Sequence, residues 1–426
     1  MPYEVSTTPG PLSGLKVLEL GQLIAGPFAG KTLADFGAEV VKVEPPQSAS
    51  GEGGDPLRKW RLLHEGTSVW WQVQSRNKQS VALDLRSEAG RADVRALIDE
   101  ADVLIENFKP GTMEKWGLGY EALAATHPRL IMLRISGYGQ TGPYRDLPGF
   151  AVVAEAMGGL RHLSGEPGRV PVRCGVSMGD TLAALHGVIG VLLALQARAR
   201  TGRGQVVDVA LYEAVFNCME SLLPEYSAFG AVREPAGSAL PGIAPSNAYR
   251  CADGQVVIGG NGDSIFRRLM QVISRDDLGA DPGLADNAGR VARVHEIDAA
   301  IARWTLDRPV AEVVATLQAA SVPAGRIYTV ADIAADPHYR ARGMIERIVT
   351  ADGLALDVPG IVPKLSDTPG AIRFPAPTLG QHTDAVMARL RVGQTGETQG
   401  HAGPPQVALS PLGGPDAQRQ VRGLSS

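Results

Sequence analysis

Short apolar runs alternate with amphipathic stretches along the first half of the chain. Lys16–Leu20 reads as a buried strand, and Gly21–Gly26 as a loop. Pro27 suits the first turn of a helix that continues through Ala29–Phe36, with Gly37 as its C-terminal cap. Ala38–Glu44 is the next strand, stopped by Pro45 and Pro46. Strand, helix and strand in this order predict a parallel sheet. The pattern then recurs. Ser80–Leu85, Val103–Glu106 and Leu130–Ile135 read as strands, and Ser87–Glu100 and Tyr120–Ala125 as helices. A Gly-rich turn, Ser136–Pro143, follows the last of these strands. Thr181–Arg198 is a long apolar helix. Gln205–Leu211 is a strand that feeds a helix over Tyr212–Leu222.

The character changes after that. Ala228–Ser246 is rich in Gly, Pro and Ala and reads as a crossing segment. A smaller α+β region follows, with a strand at Gln255–Ile258 and helices near Ile265–Ile273, Arg290–Leu306 and Pro309–Ala319. Pro309 suits a first helical turn. Val322–Tyr328 and Ile361–Pro363 read as the start of a return segment. From Val392 to Ser426 the chain is dominated by Gly, Pro, Gln and Ser, a composition that predicts disorder.

Composition narrows the function. A length of 426 residues suits two structural domains, and 44% hydrophobic residues can fill a sizeable core. The net charge of −4 carries no nucleic-acid footprint. Met1–Pro11 lacks a basic stretch followed by an apolar one, so no signal peptide is expected. The apolar run Leu182–Leu195 is too short to span a bilayer, and no membrane role is expected. Cys174, Cys218 and Cys251 are sparse and odd in number, which suits a reducing compartment, and the cytoplasm is the expected location.

Several motifs have ordinary explanations. Ala25–Thr32 approaches a phosphate-binding loop, but Ala25 replaces its first Gly and Pro27 removes a needed amide. A helix start packed on a strand explains it better. Gly21, Gly26 and Gly30 do not have dinucleotide spacing. No nucleophile elbow and no His or Cys pair with metal spacing is present, so no metal is expected. A carboxylate nucleophile is therefore the candidate to examine. Asp180 follows Gly179 where the long apolar helix opens. An N-cap role explains an Asp there, and a helix N-terminus also keeps a carboxylate ionised.

Together these stretches resemble the family III CoA-transferases, the CaiB/BaiF family, from about Leu12 to Leu390. The segments that carry the resemblance are Leu12–Leu20, Ala25–Pro27, Gly37–Glu44, Arg76–Ser80, Ala101–Phe108, Gly137–Pro143, Gly179-Asp180 and Thr201–Gln205. Asp336–His338 and Leu379–Thr383 follow near the end. The resemblance places the catalytic aspartate at Asp180. It places CoA contacts at Leu23, Ile24, Ala25, Lys78, Asn107, Phe108, Lys115, Trp116 and Tyr138. Ile24 and Pro45 depart from members that carry Gln and Arg there. The implied fold is a large Rossmann-like domain with a parallel sheet, plus a smaller α+β domain. The implied segments are an arm at 1–11, the large domain over 12–224 and 326–391, the small domain over 225–325, and a tail at 392–426. The implied assembly is an interlocked homodimer.

The resemblance implies exchange of CoA between an acyl-CoA and a free acid, with no permanently bound cofactor. An Asp carboxylate is ionised at neutral pH and needs no activating base. Amides at Gly137 and Gly139, or at Gly259 and Gly260, are candidate oxyanion donors. Arg134 and Arg173 are candidate anchors for a second substrate carboxylate; a structural ion pair explains either equally well. Arg134–Gly139 and Leu182–Gly187 resemble members that use succinyl-CoA and a dicarboxylate. Two alternatives remain open. The first is an α-methylacyl-CoA racemase, which would carry His where Gly149-Phe150 stands. The second is a CoA-binding protein without turnover.

Overall fold

The computed structural model describes residues 9–396. Strands β1 (Lys16–Glu19) and β2 (Glu39–Glu44) come first. A short antiparallel ribbon follows, β3 (Leu63–His64) with β4 (Thr67–Ser68). Then come β5 (Lys78–Ala82), β6 (Val103–Glu106), β7 (Ile131–Ser136) and β8 (Val206–Ala210). Without the ribbon, these strands form one six-stranded sheet in the order β5-β2-β1-β6-β7-β8. Every neighbouring pair is parallel. Counting only the sheet's own members, the order is 3-2-1-4-5-6. It reverses between β1 and β6, and α/β sheets bind ligands at the strand C-termini beside such a reversal.

Helices cover the sheet, whose central strands are buried on both faces. Ala25–Asp35 links β1 to β2, and Glu88–Asp99 links β5 to β6. Ser87 caps the second helix by accepting from the Gly90 amide at 3.0 Å. Met178–Thr201 crosses between β7 and β8 and buries Ala183, Ala184, Gly187, Val188 and Val191. A Cβ on Gly187 would lie 2.9 Å from Leu133, so glycine lets this helix sit close on β7.

This helix corrects two expectations. It starts at Met178 with Ser177 as the N-cap residue, so Asp180 lies inside the first turn and is not the cap. It has 24 residues and is long and apolar enough to cross a membrane by length and composition, although Leu182–Leu195 alone looked too short. One side faces the core, whereas Leu185, Ile189, Leu192 and Leu193 are exposed.

A second core surrounds β9 (Ser246–Cys251), β10 (Gly254–Gly259) and β11 (Ala324–Arg326), an antiparallel sheet in the order β11-β10-β9. Its interior includes Tyr249, Val256, Ile258, Phe266, Ile297, Ile301 and Leu317. The expected return segment therefore begins later, because Ala324–Arg326 closes this sheet. The expected helix Arg290–Leu306 is two helices, Asn287–Ala292 and Val294–Leu306, broken at Arg293. Pro309 precedes its helix, Val310–Ala319, and does not sit in its first turn. Asp253 instead accepts from the Val310 amide at 2.7 Å.

The chain then returns to the first core. β12 (Ile345–Val349) pairs with β13 (Ala355–Pro359), and Ile348, Val358, Ile361 and Ile372 pack with Phe36. Asn77 Oδ1 accepts from the amides of Arg373 and Phe374. Arg76 bridges Asp35 and the Pro359 carbonyl. Arg76 and Asn77 thus tie the last third of the chain to the sheet.

A separate unit begins at Asp384. Residues 392–396 lie in the helix Thr383–Gly396, so the disorder expected from Val392 does not hold there. The rest of that expectation, 397–426, and residues 1–8 of the arm lie outside the described residues.

Candidate active site

The turn after β1 lies at the reversal point and is held from three sides. Asn107, just past β6, accepts from the Gln22 amide at 2.8 Å and donates to the Gln22 carbonyl at 2.9 Å. Asp55 accepts from the Leu23 amide at 3.1 Å. Gln74 donates to the Ile24 carbonyl at 2.9 Å. Leu23 has a φ of 65°, a conformation that costs a branched side chain energy and needs this bracing. Leu23, Ile24, Ala25 and Asn107 are therefore brought together. Ile24 also lines a cavity of about 480 Å³ with Phe28, Arg61, Trp70, Gln74, Ser177 and Thr181.

Below the turn lies a buried ionic network. Glu19 accepts from Lys42 at 3.0 Å and from Lys78 at 2.8 Å. Lys42 also pairs with Asp55 at 2.8 Å. Burial alone would lower the Lys42 pKa, but Asp55, Glu19 and Glu44 hold it above its ordinary value. Lys78 is lowered to about 8, chiefly by burial and against the pull of Glu19. Lys78 is fully buried, and its ammonium is engaged by Glu19 and the Pro27 carbonyl. Drawing that ammonium away toward a phosphate would leave Glu19 underpaired in a dry core.

Lys31, the lysine of the phosphate-loop-like stretch, lies within the helix Ala25–Asp35 and faces Asp35 at 3.8 Å. This agrees with the helix-start explanation.

Asp180 stands in the first turn of the long helix, and its sequence neighbours Ser177 and Thr181 line that cavity. The preceding amide, Gly179, donates to Glu155 Oε1 at 3.3 Å. Glu155 is only 2% exposed and faces Arg173 Nε at 3.4 Å. Arg161 approaches Glu155 at 4.0 Å. Burial raises the Asp180 pKa to about 6, Glu155 adds to the rise, and Arg173 opposes it. Asp180 remains largely ionised at neutral pH and can serve as a nucleophile. Of the two candidate anchor arginines, Arg173 is the one whose charge acts on Asp180.

Arg134 has a different place. Glu106 and Arg134 are cross-strand partners on β6 and β7, and Arg134 Nε donates to Glu106 at 2.7 Å. Its other two nitrogens donate to Glu114 at 2.6 and 3.2 Å. The geometry is that of the structural ion pair, not of an arginine facing Asp180. Phe108 and Trp116 are brought together edge to face, 5.3 Å apart. Lys115 is exposed beside them. Tyr138 packs with Tyr144 and Tyr212, a separate aromatic group.

The glycine candidates fare less well. The amides of Gly259 and Gly260 donate to the carbonyls of Pro323 and Pro245 at 3.0 and 2.9 Å. Both are engaged by backbone, so in this arrangement neither is an oxyanion donor. The Gly139 amide donates to Ser136 Oγ at 3.0 Å and is engaged likewise. Gly137 packs directly on Gly149, where a Cβ would lie 2.9 Å from the Gly149 Cα. Phe150 precedes the helix Ala151–Met157 and is 68% exposed.

Glu19, Lys42, Asp55, Gln74, Glu114 and Glu155 were missed as site residues. A signal existed for the first two: a charge inside an apolar strand must find a buried partner. Asp55 precedes Pro56, a common turn start, and its side chain caps the short helix Pro56–Lys59. The groups of three or more His, Cys, Asp and Glu that could hold a metal are absent among the described residues.

The chain matches the model of CoA-transferase family III over residues 12–383. It is 47% identical to the succinyl-CoA–D-citramalate CoA-transferase of Chloroflexus aurantiacus, over 90% of this chain and 94% of that protein. It is 35% identical to the succinate–glutarate CoA-transferase of Agrobacterium fabrum, over 89% of this chain and 96% of that protein. A CaiB/BaiF family protein from Brucella suis has a similar crystal structure, with a TM-score of 0.79 and 38% identity over 90% of this chain and all of that one. A reversed parallel sheet, an ionised aspartate at a helix start beside that sheet and a family match over nearly all the described residues lead to one conclusion: the chain is an enzyme of CoA-transferase family III.

Proposed function

We propose that the enzyme transfers CoA from succinyl-CoA to a C4–C6 dicarboxylic acid or close analogue, with Asp180 as the nucleophile. The observation that carries this reading is Asp180 in the first turn of the long helix, whose neighbours Ser177 and Thr181 line the same cavity as Ile24 of the braced turn. The names of the relatives from Chloroflexus aurantiacus and Agrobacterium fabrum support the dicarboxylate class.

The Asp180 carboxylate attacks the thioester carbonyl and expels the CoA thiolate, giving an aspartyl–succinyl anhydride. The thiolate attacks the aspartyl carbonyl of that anhydride. This forms an aspartyl–CoA thioester and releases succinate. The acceptor carboxylate then attacks the thioester, and the thiolate finally takes the acceptor acyl group and frees Asp180. One thioester replaces another, so the exchange needs no energy-rich co-substrate. Leu23, Ile24, Ala25, Asn107, Phe108, Lys115, Trp116 and Tyr138 are the proposed CoA contacts, and Arg173 is the proposed carboxylate anchor. Lys78 contributes by holding Glu19 under the Leu23 turn.

The active unit is proposed to be a homodimer. Leu185, Ile189, Leu192 and Leu193 on the long helix, and Val152, Val153 and Met157 on the helix packed against it, are exposed apolar side chains that a second copy would cover. Light scattering after gel filtration should report twice the chain mass.

An exchange screen of acyl-CoA donors against free acids, followed by mass spectrometry, tests the activity. Succinyl-CoA with citramalate, malate, glutarate or mesaconate should give a new thioester. Failure of every dicarboxylate, with transfer to monocarboxylates only, would overturn the substrate class. The racemase alternative loses ground because Phe150 can neither remove nor return a proton. In deuterated water, 2-methylacyl-CoA should gain no enzyme-dependent deuterium at its α-carbon.

A further inference from the structure

Arg134 sits at the C-terminal end of β7, yet its guanidinium is spent on two carboxylates from different elements. Glu106 ends β6, and Glu114 belongs to the short helix Thr112–Lys115. The Arg134–Glu106 contact is 2.7 Å, and the Arg134–Glu114 contact is a two-pronged one at 2.6 and 3.2 Å. The second oxygen of Glu106 accepts from the Phe108 amide at 2.8 Å. One guanidinium therefore fixes the backbone of Phe108 through Glu106 and, through Glu114, the short helix that ends beside Trp116. Phe108 and Trp116 meet edge to face, and Lys115 lies exposed next to them.

Burial pushes the Glu106 pKa up even with Arg134 in place, so this carboxylate would be poorly tolerated without its partner. The Glu114 carboxyl is held below its ordinary range by its hydrogen bonds from Arg134. The fork geometry gives directional hold that a point charge lacks.

We infer that Arg134 is a positioning residue that locks Phe108 and the Trp116 helix into a preformed aromatic platform for the adenine end of CoA, and that it does not bind a substrate carboxylate. The inference rests on the CoA site proposed above. An aromatic face held in place before binding stacks on a planar base without a further ordering cost. Lys115 at its edge supplies a cation for a nearby phosphate.

The test compares two succinyl donors in the full-length enzyme. One is succinyl-CoA. The other is succinyl-pantetheine, which keeps the thioester but lacks the nucleotide. Arg134→Met should lower kcat/KM for succinyl-CoA about tenfold or more through KM, with kcat at saturation nearly unchanged. Its kcat/KM for succinyl-pantetheine, and its KM for the acceptor acid, should stay within about twofold of wild type. Arg134→Lys should recover only part of the loss, because it keeps charge without the fork.

Arg134→Met leaves Glu106 unpaired in the core and can impair folding. Glu114→Gln is the second variant, since Glu114 is 47% exposed and its loss strands no buried charge. It should move the same parameter in the same direction. CoA titration calorimetry on the wild type and on Glu114→Gln should show the matching loss of affinity. A raised acceptor KM with an unchanged succinyl-CoA KM would overturn the inference and return Arg134 to the anchor role. Equal losses on both donors in both variants would overturn it in favour of a general structural role. If the wild type binds no CoA, the proposed CoA site fails as well. If the wild type binds CoA and both variants bind it equally, only the platform fails.

Discussion

The Gly179 amide donates to Glu155 Oε1 at 3.3 Å, which sets a buried carboxylate one residue from Asp180. Two like charges this near each other resist simultaneous ionisation, and Arg173, 3.4 Å from Glu155, offsets part of that. The reactive form of Asp180 is the carboxylate. With its pKa raised to about 6, exchange should fall as pH drops through about 6. Glu155→Gln removes the like charge and should move that acid limb to lower pH. Arg173→Met removes the opposing charge and should move it to higher pH. The check is the pH profile of kcat/KM at saturating acceptor. A limb that does not shift in either variant would mean that burial alone sets the Asp180 charge.

Asp180→Ala should reduce exchange by about a thousandfold or more, since no other group supplies the nucleophile. CoA affinity by calorimetry should change little. Hydroxylamine should inactivate the wild type only in the presence of acyl-CoA, when an activated aspartyl ester exists. A tenth of the wild-type rate in the Ala variant would remove Asp180 from its role.

The raised pKa has a consequence for stability. The folded state holds the Asp180 proton more tightly than the unfolded chain does, so the ionised form opposes folding above about pH 6. Asp180→Asn should therefore raise stability at pH 7 by on the order of 1–3 kcal/mol. That gain should shrink as pH falls below about 6 and vanish only below about pH 3, where the unfolded chain is protonated as well. Denaturant melts at the two pH values measure it. A gain that is equal at both would assign the effect to packing.

Arg173→Met should also cut the preference for succinyl-CoA over butyryl-CoA by about tenfold, the scale of one charge-assisted hydrogen-bonded contact. Measured at about pH 8, above the shifted acid limb, the rate on butyryl-CoA, which has no second anion, should be spared. An unchanged preference would move the carboxylate anchor elsewhere.

Gly30 carries a structural prediction. A Cβ there would lie 1.8 Å from Glu19 Oε2. Glu19 cannot swing away, because it holds both Lys42 and Lys78 in the core. Gly30→Ala should therefore destabilise the fold by about 2–4 kcal/mol, through overpacking and a disturbed ion network. It should also weaken CoA binding by loosening the Leu23 turn. Thermal melts and calorimetry check the two effects separately.

The alternation of buried strands and covering helices was legible in sequence because each strand is local and apolar. All six strands of the main sheet were expected, within a few residues at each end. So was the turn after β1. Short polar-rich elements such as the ribbon β3-β4 and the helix Pro56–Lys59 were not, because they are specified by contacts with distant chain. Trp71 and Arg58, for example, both donate to the carbonyl of Pro377, far along the sequence.

Local sequence by itself determined the strand–helix repeat, the Gly-rich turns and Asp180 at the opening of an apolar helix, because periodicity and turn chemistry act over a few residues. Only the tertiary structure decided what the charged side chains do. Lys78, which the family resemblance places among the CoA contacts, is buried and donates to Glu19. Arg134 and Arg173 looked equivalent, but cross-strand register gives Arg134 to Glu106, while folding of the chain between β7 and the long helix brings Arg173 to Glu155. The energy of an ionic group depends on burial and on partners brought from elsewhere in the chain, and neither is encoded in its immediate neighbours.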